Sequence, residues 1–140
     1  MLRRIVLYGA ITLTLIIMLT ITYNIYYNSN HDYYDYRTRQ KLQMIADVSR
    51  AVPYSEVERG DVGTLPAFLQ TLSRASHEEL SYLGTDAFGE PFGYRASRDG
   101  NAIVVVITTE RAGTIQHRLE LVFAPPIHPN APSVTVHRSW

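Results

Sequence analysis

The chain has no cysteine. Disulfides, thiolate zinc sites and cysteine nucleophiles are thereby excluded, while the compartment stays open, because proteins of oxidising compartments need not contain Cys. Charge is missing over one long stretch: no Asp, Glu, Lys or Arg lies between Ile5 and Asn30. No carboxylate side chain precedes Asp32, and residues 121–140 contain none either. Nor is there an excess of positive charge. Thirteen basic residues balance thirteen acidic ones over 140 residues, and setting aside Arg3 and Arg4 leaves the remainder slightly acidic. Without a basic domain the electrostatic footprint of a nucleic-acid-binding protein is absent, so nucleic acid is not an expected partner.

What fills the uncharged stretch is apolar. Residues 5–23 read IVLYGAITLTLIIMLTITY. At a rise of about 1.5 Å per residue this run spans roughly 28 Å, close to the ~30 Å hydrocarbon core of a bilayer. Only Thr12, Thr14, Thr20 and Thr22 interrupt it, and a threonine hydroxyl can bond back to the preceding helical turn. Tyr23, Tyr26 and Tyr27 then fall where an interfacial aromatic belt belongs. A cleaved signal peptide has a shorter apolar region, about 7–15 residues, and a small-x-small cleavage site; Thr20-Ile21-Thr22-Tyr23 is a poor match. The expectation is an uncleaved, single-pass signal-anchor. Arg3 and Arg4 on the short side, against Asp32 and Asp35 beyond the span, favour a cytoplasmic N-terminus, with Arg37, Arg39 and Lys41 weighing the other way.

Beyond the span the hydrophobic period becomes that of a half-buried helix. Leu42, Ile45, Ala46 and Val52 fall near one face, with Arg39, Gln43, Asp47 and Arg50 opposite, until Pro53 ends the pattern. No Gly or Pro separates the two parts, so one helix over residues 4–52 and a hinge at 28–31 are both open. Residues 56–63 read as a polar loop. Thr64 is a candidate N-cap for a short helix with Pro66 in its first turn and Leu65, Phe68, Leu69 and Leu72 on its apolar face. Ser76-His77-Glu78-Glu79 fits a capping box for a further short turn closed by Gly84. Strands are predicted at 92–96, 102–109 and 115–123, with an edge strand at 134–138. The first pair is joined at Arg98-Asp99-Gly100-Asn101, and a second turn falls at 110–113. The IVVVI run suits a strand buried on both faces, whereas Ile115, His117, Leu119, Leu121 and Phe123 alternate onto one face.

The search for catalytic chemistry is negative. His77-Glu78 opens like a zinc-protease motif but no second histidine follows, and there is no nucleophile elbow or phosphate loop. His31, Asp32 and Asp35 read as an exposed polar cluster rather than a cation site. His117 faces inward with Leu119 and reads as a hydrogen-bonded core or interface histidine, since no carboxylate partner is identifiable in the sequence. No enzyme, cofactor or metal is expected; an enzyme using His117 or His128 is the least favoured reading. Six of the ten tyrosines lie between positions 23 and 36. Beyond the belt, Tyr33, Tyr34 and Tyr36 form either a possible interaction surface for a neighbouring helix, or a continuation of the interfacial layer or a cover for the sheet.

One segment is more specific. Asp86-Ala87-Phe88-Gly89-Glu90-Pro91-Phe92, with Tyr94, is an Asp/Gly/Pro turn carrying aromatic residues into a strand. It resembles the Asp-Pro-Trp-Gly-x-Pro-Tyr/Phe-x-Tyr signature of type II secretion major pseudopilins, members of the type IV pilin-like family, with Ala87 and Phe88 in place of Pro and Trp. The order of elements over residues 37–109 agrees. The prepilin peptidase site of that family, Gly-Phe-Thr-Leu-x-Glu, is absent: Gly9-Ala10-Ile11-Thr12-Leu13-Thr14 has no Glu. The family's acidic calcium loop has no counterpart in residues 121–140.

The resemblance implies a pilin-like α+β fold: a transmembrane helix continuing into an amphipathic helix packed on a three- to four-stranded antiparallel sheet. Residues 1–30 would form the cytoplasmic tip and anchor, and 31–140 a periplasmic or extracellular domain on the inner membrane. The implied role is a non-enzymatic structural or accessory subunit of a secretion or pilus-type assembly, its partners the membrane, assembly components and possibly further copies. The alternative is a single-pass membrane-anchored binding module unrelated to secretion.

Overall fold

The computed structural model describes residues 1–110 and 116–140, and of residues 2–4 the backbone alone. It is an α+β chain with one long N-terminal helix, α1 (Leu2–Ala51), two shorter helices, α2 (Tyr54–Arg59) and α3 (Leu65–Ser76), and a 3-10 turn at Ser81–Gly84. Four strands follow: β1 (Gly93–Asp99), β2 (Ala102–Thr108), β3 (Arg118–Phe123) and β4 (Val134–Ser139). Residues 28–31 are helical, so the hinge alternative finds no break there. Two compact units divide the chain, Met1–Tyr34 and Asp35–Trp140.

The first unit is helix alone. Its apolar side chains from Ile5 to Ile25 are exposed, which is compatible with a membrane-spanning segment. Among the described residues α1 is the single helix long and apolar enough to cross a membrane. The hydroxyls of Thr12, Thr14 and Thr20 donate to the carbonyls of Tyr8, Ala10 and Ile16, one turn back, at 2.8–2.9 Å. Each polar group is thereby satisfied inside its own helix, which hydrocarbon requires. Tyr23 and Tyr27 stack with ring centroids 6.1 Å apart, and the Tyr27 ring lies 4.2 Å from that of His31.

In the second unit the sheet is an antiparallel meander in the order β1-β2-β3-β4. The β1–β2 connection places Gly100 at φ 59°, the left-handed conformation that a two-residue hairpin turn requires. Cross-strand rows place Ala96, Val105, Leu121 and Val136 side by side on the inner face, with Ile107 and Leu119 in the next row. One core joins this face to Leu42, Ile45 and Ala46 of α1 and to Leu65, Phe68, Leu69 and Leu72 of α3. The Phe68 ring lies 6.1 Å from both Phe123, edge-on, and Tyr94. A fully buried side chain of this size contributes about 2–3 kcal/mol, so this cluster rather than helix propensity holds the elements together.

Three local expectations are corrected. Of residues 56–63, expected as loop, 56–59 belong to helix α2, because Tyr54 and Val57, three positions apart, both enter the core. Ser76 does not cap a new helix. It is the last residue of α3, and His77 terminates that helix in a left-handed conformation with φ 59°. Strand β2 is buried on one face only: Ile103, Val105 and Ile107 are buried, whereas Val104 and Val106 are half-buried on the outer face. The cap at Thr64 does form, its hydroxyl accepting from the Ala67 amide at 3.3 Å. Residues 111–113 of the expected second turn, and Ile115, lie outside the described residues.

Candidate functional site

The segment singled out by its residues, 86–94, folds as a closed turn. Asp86 is buried, and its Oδ1 accepts from the amides of Phe88 (2.8 Å) and Glu90 (2.9 Å). Its own amide donates to the Glu90 carbonyl at 2.8 Å, and its carbonyl accepts from Gly89 N at 3.2 Å. Gly89 sits at φ 86°, where an L side chain is strained. Thr85 and Pro91 face each other across an isolated bridge. Phe92 is buried in the core, Phe88 is half-buried, and Tyr94 donates to the Val62 carbonyl at 2.6 Å.

Helix α1 holds this turn from the other side. The Thr38 hydroxyl accepts from the Ala87 amide at 3.0 Å. One turn along, Lys41 Nζ donates to the carbonyls of Tyr82 (3.1 Å), Thr85 (2.9 Å) and Asp86 (3.4 Å). Desolvation lowers the Lys41 pKa below its usual 10.5; the Asp86 carboxylate opposes that shift and Arg37 adds to it. The ammonium is shared among three carbonyls, of which that of Asp86 also accepts from Gly89 N. The sequence reveals the turn but not these two residues of α1, which appear in it as ordinary members of a helix's polar side.

A second constellation was legible only in part: the sequence turns His117 inward but does not disclose its partner. His117 is buried, and Asp35, on α1, supplies the carboxylate partner that the sequence does not disclose: Nε2 lies 2.5 Å from Asp35 Oδ1. Arg39 Nε stands 3.5 Å from the other oxygen of Asp35, and the Trp140 ring meets the imidazole edge-on at 6.3 Å. The His117 amide and carbonyl both bond to Thr109, at 2.8 and 3.0 Å. Nδ1 of His117 is buried with no hydrogen-bond partner among the described residues. A general base needs a path to substrate, and this ring is enclosed by a carboxylate, an indole and the sheet. The pair therefore reads as a clamp between α1 and β3, and Asp35 belongs to it rather than to an exposed cluster with His31 and Asp32.

Of the remaining singled-out residues, Tyr33 and Tyr34 belong to the first unit, exposed and in edge-to-face contact at 5.6 Å. Tyr36 belongs to the second, exposed, its hydroxyl accepting from Gln40 Nε2 at 2.7 Å. Among the described residues no three His, Asp or Glu side chains group as metal ligands would. No protein-family model, no curated protein and no solved structure matches this chain. Its geometry and its residues thus carry the functional reading alone.

Proposed function

We propose that this chain is a non-enzymatic, membrane-anchored, pilin-like subunit, structural or accessory, of a type II secretion or pilus-type assembly. In this reading the apolar half of α1 is an uncleaved single span of the inner (cytoplasmic) membrane with its N-terminus in the cytoplasm. The unit Asp35–Trp140 then works in the periplasm or outside the cell. The observation that carries the reading is the turn at Asp86–Tyr94, which resembles the pseudopilin signature and is tied to the long helix by Thr38 and Lys41. Partners would be the membrane, assembly components and further copies of the chain.

A single-pass binding module unconnected with secretion is the second reading. It is favoured by the lack of any carboxylate side chain before Asp32, which leaves no glutamate to neutralise a neighbouring subunit's N-terminal amine in a filament. The mass of the protein purified from membranes separates the cases. Cleavage after Gly9 with N-methylation would mark a processed pseudopilin, and an intact Met1 or Leu2 an accessory role. Crosslinking through Tyr33, Tyr34 or Tyr36 that recovers no secretion or pilus component would favour the binding module.

A further inference from the structure

One surface of the second unit has no part in the turn or the clamp. Met44, Asp47, Val48 and Ala51 occupy positions i, i+3, i+4 and i+7 of α1, a single stripe, and the end of α3 lies alongside it. Between them runs an open groove of about 560 Å³. Val48 and Ala75 form its floor, each packed against the core from the other side, so the floor is rigid. Met44 is 40% exposed, an unbranched and adaptable thioether of the kind that suits a binding surface, and the Tyr82 hydroxyl touches its sulfur at 3.9 Å.

The rim has one sign. Asp47 and Glu78 line the groove, and no Lys or Arg does. Asp47 is shared with Arg50 at 2.9 Å, while Glu78 has no ion-pair partner among the described residues. Ser76 also belongs to the lining, but its Oγ is buried away from the open surface, so the polar recognition falls to the two carboxylates.

We propose that this groove docks an amphipathic helix of a partner protein, presenting apolar side chains at helical spacing with a Lys or Arg beside them. Two turns of α1, about 10 Å, match two turns of such a helix. The apolar side chains would cover Met44, Val48 and Ala75, and the cation would meet Glu78 and Asp47. A polar or acidic helix is excluded by the same rim that recruits a basic one, which is how charge gives a shallow groove its selectivity. The inference uses only residues of the unit Asp35–Trp140 and does not rest on the secretion reading.

The test uses the full chain in zwitterionic lipid nanodiscs, with empty discs as control. A labelled synthetic helix with leucines at i and i+4 flanked by lysines is titrated by fluorescence anisotropy, beside a matched peptide carrying glutamates. The lysine peptide is expected to bind, the glutamate peptide not, and Glu78→Lys to weaken binding about tenfold by exchanging attraction for repulsion. Ala75→Trp, filling the floor, is expected to abolish it. Glu78→Lys lies on the surface, so its melting temperature should match the parent and keep the result interpretable even if Ala75→Trp unfolds. Equal binding of the two peptides, or binding indifferent to Glu78→Lys, would overturn the proposal. So would a dimer of this chain lost in Ala75→Trp without peptide binding, since a second copy would then be the occupant.

Discussion

Asp35 and His117 are separated by 82 positions in the chain, yet Oδ1 of one lies 2.5 Å from Nε2 of the other, with the histidine side chain 1% exposed. A contact this close, made by two groups that cost free energy to bury, persists only because each satisfies the other. It joins α1 to the beginning of β3, where Trp140 and Arg39 close around it.

Removing Asp35 alone should be worse than removing both partners. Asp35→Ala leaves the imidazole without its acceptor and is expected to destabilise the domain by about 2–3 kcal/mol. His117→Leu alone should cost less, because Arg39 still faces the Asp35 carboxylate. Chemical unfolding of the detergent-solubilised chain, analysed as a double-mutant cycle, should give a coupling of about 1–3 kcal/mol. Additivity within about 0.5 kcal/mol would mean that the pair holds nothing together.

The turn at 86–94 should depend on α1 as well as on its own residues. Asp86→Ala removes the acceptor of two amides and is expected to cost about 2–3 kcal/mol, and Gly89→Ala about 1–2 kcal/mol for its positive φ. Thr38→Val and Lys41→Met leave the turn's sequence untouched but should each raise amide hydrogen exchange at Ala87, Phe88 and Glu90. Protection unchanged in both variants would show that the turn closes without the helix.

Alkaline pH should weaken the fold through Tyr94. Burial, and secondarily the Asp61 carboxylate, raises its pKa far above 10.0, so the folded state keeps the phenol neutral where the unfolded chain ionises. The unfolded state then binds fewer protons, and stability, fully present below pH 10, falls as pH rises beyond it. Tyr54 is shifted the same way, by burial first and Glu58 second. Lys41, shifted down by desolvation, acts oppositely: between its folded pKa and 10.5 the unfolded state holds more protons, so that contribution rises with pH. Urea midpoints measured from pH 8 to 11.5 should decline less steeply in Tyr94→Phe than in the parent. Identical slopes would place the alkaline sensitivity elsewhere.

The alternation in β2 gives a test of register. Val105 is fully buried and Val104 is not. Val105→Thr buries an unpaired hydroxyl and should cost about 1–3 kcal/mol, whereas Val104→Thr should stay near 0.5 kcal/mol or below. Equal losses on thermal unfolding would mean that something covers the outer face.

Local rules carried much of this far from tertiary structure. The helix long and apolar enough to cross a membrane follows from an uncharged run of sufficient length, the end of α1 from Pro53, the cap of α3 from Thr64 and the hairpin from Gly100, because each depends on neighbours within a few positions. Local rules failed where burial overrode them. Residues 56–63 look polar throughout, yet Tyr54 and Val57 anchor 56–59 to the core as part of α2. Ser76 has the residues of a capping box, yet α3 had not finished. The IVVVI run suggested two buried faces, but the helices cover only one.

The sequence by itself determined that this protein has one apolar span, no cysteine chemistry, and an α+β domain carrying an Asp/Gly/Pro turn. Those properties are set by composition and by short-range periodicity. Only the tertiary structure decided which distant side chains meet: Lys41 and Thr38 with the turn, and Asp35 with His117. A hydrogen bond forms wherever folding brings donor and acceptor within about 3 Å, and no spacing along a chain records a distance closed by an entire sheet.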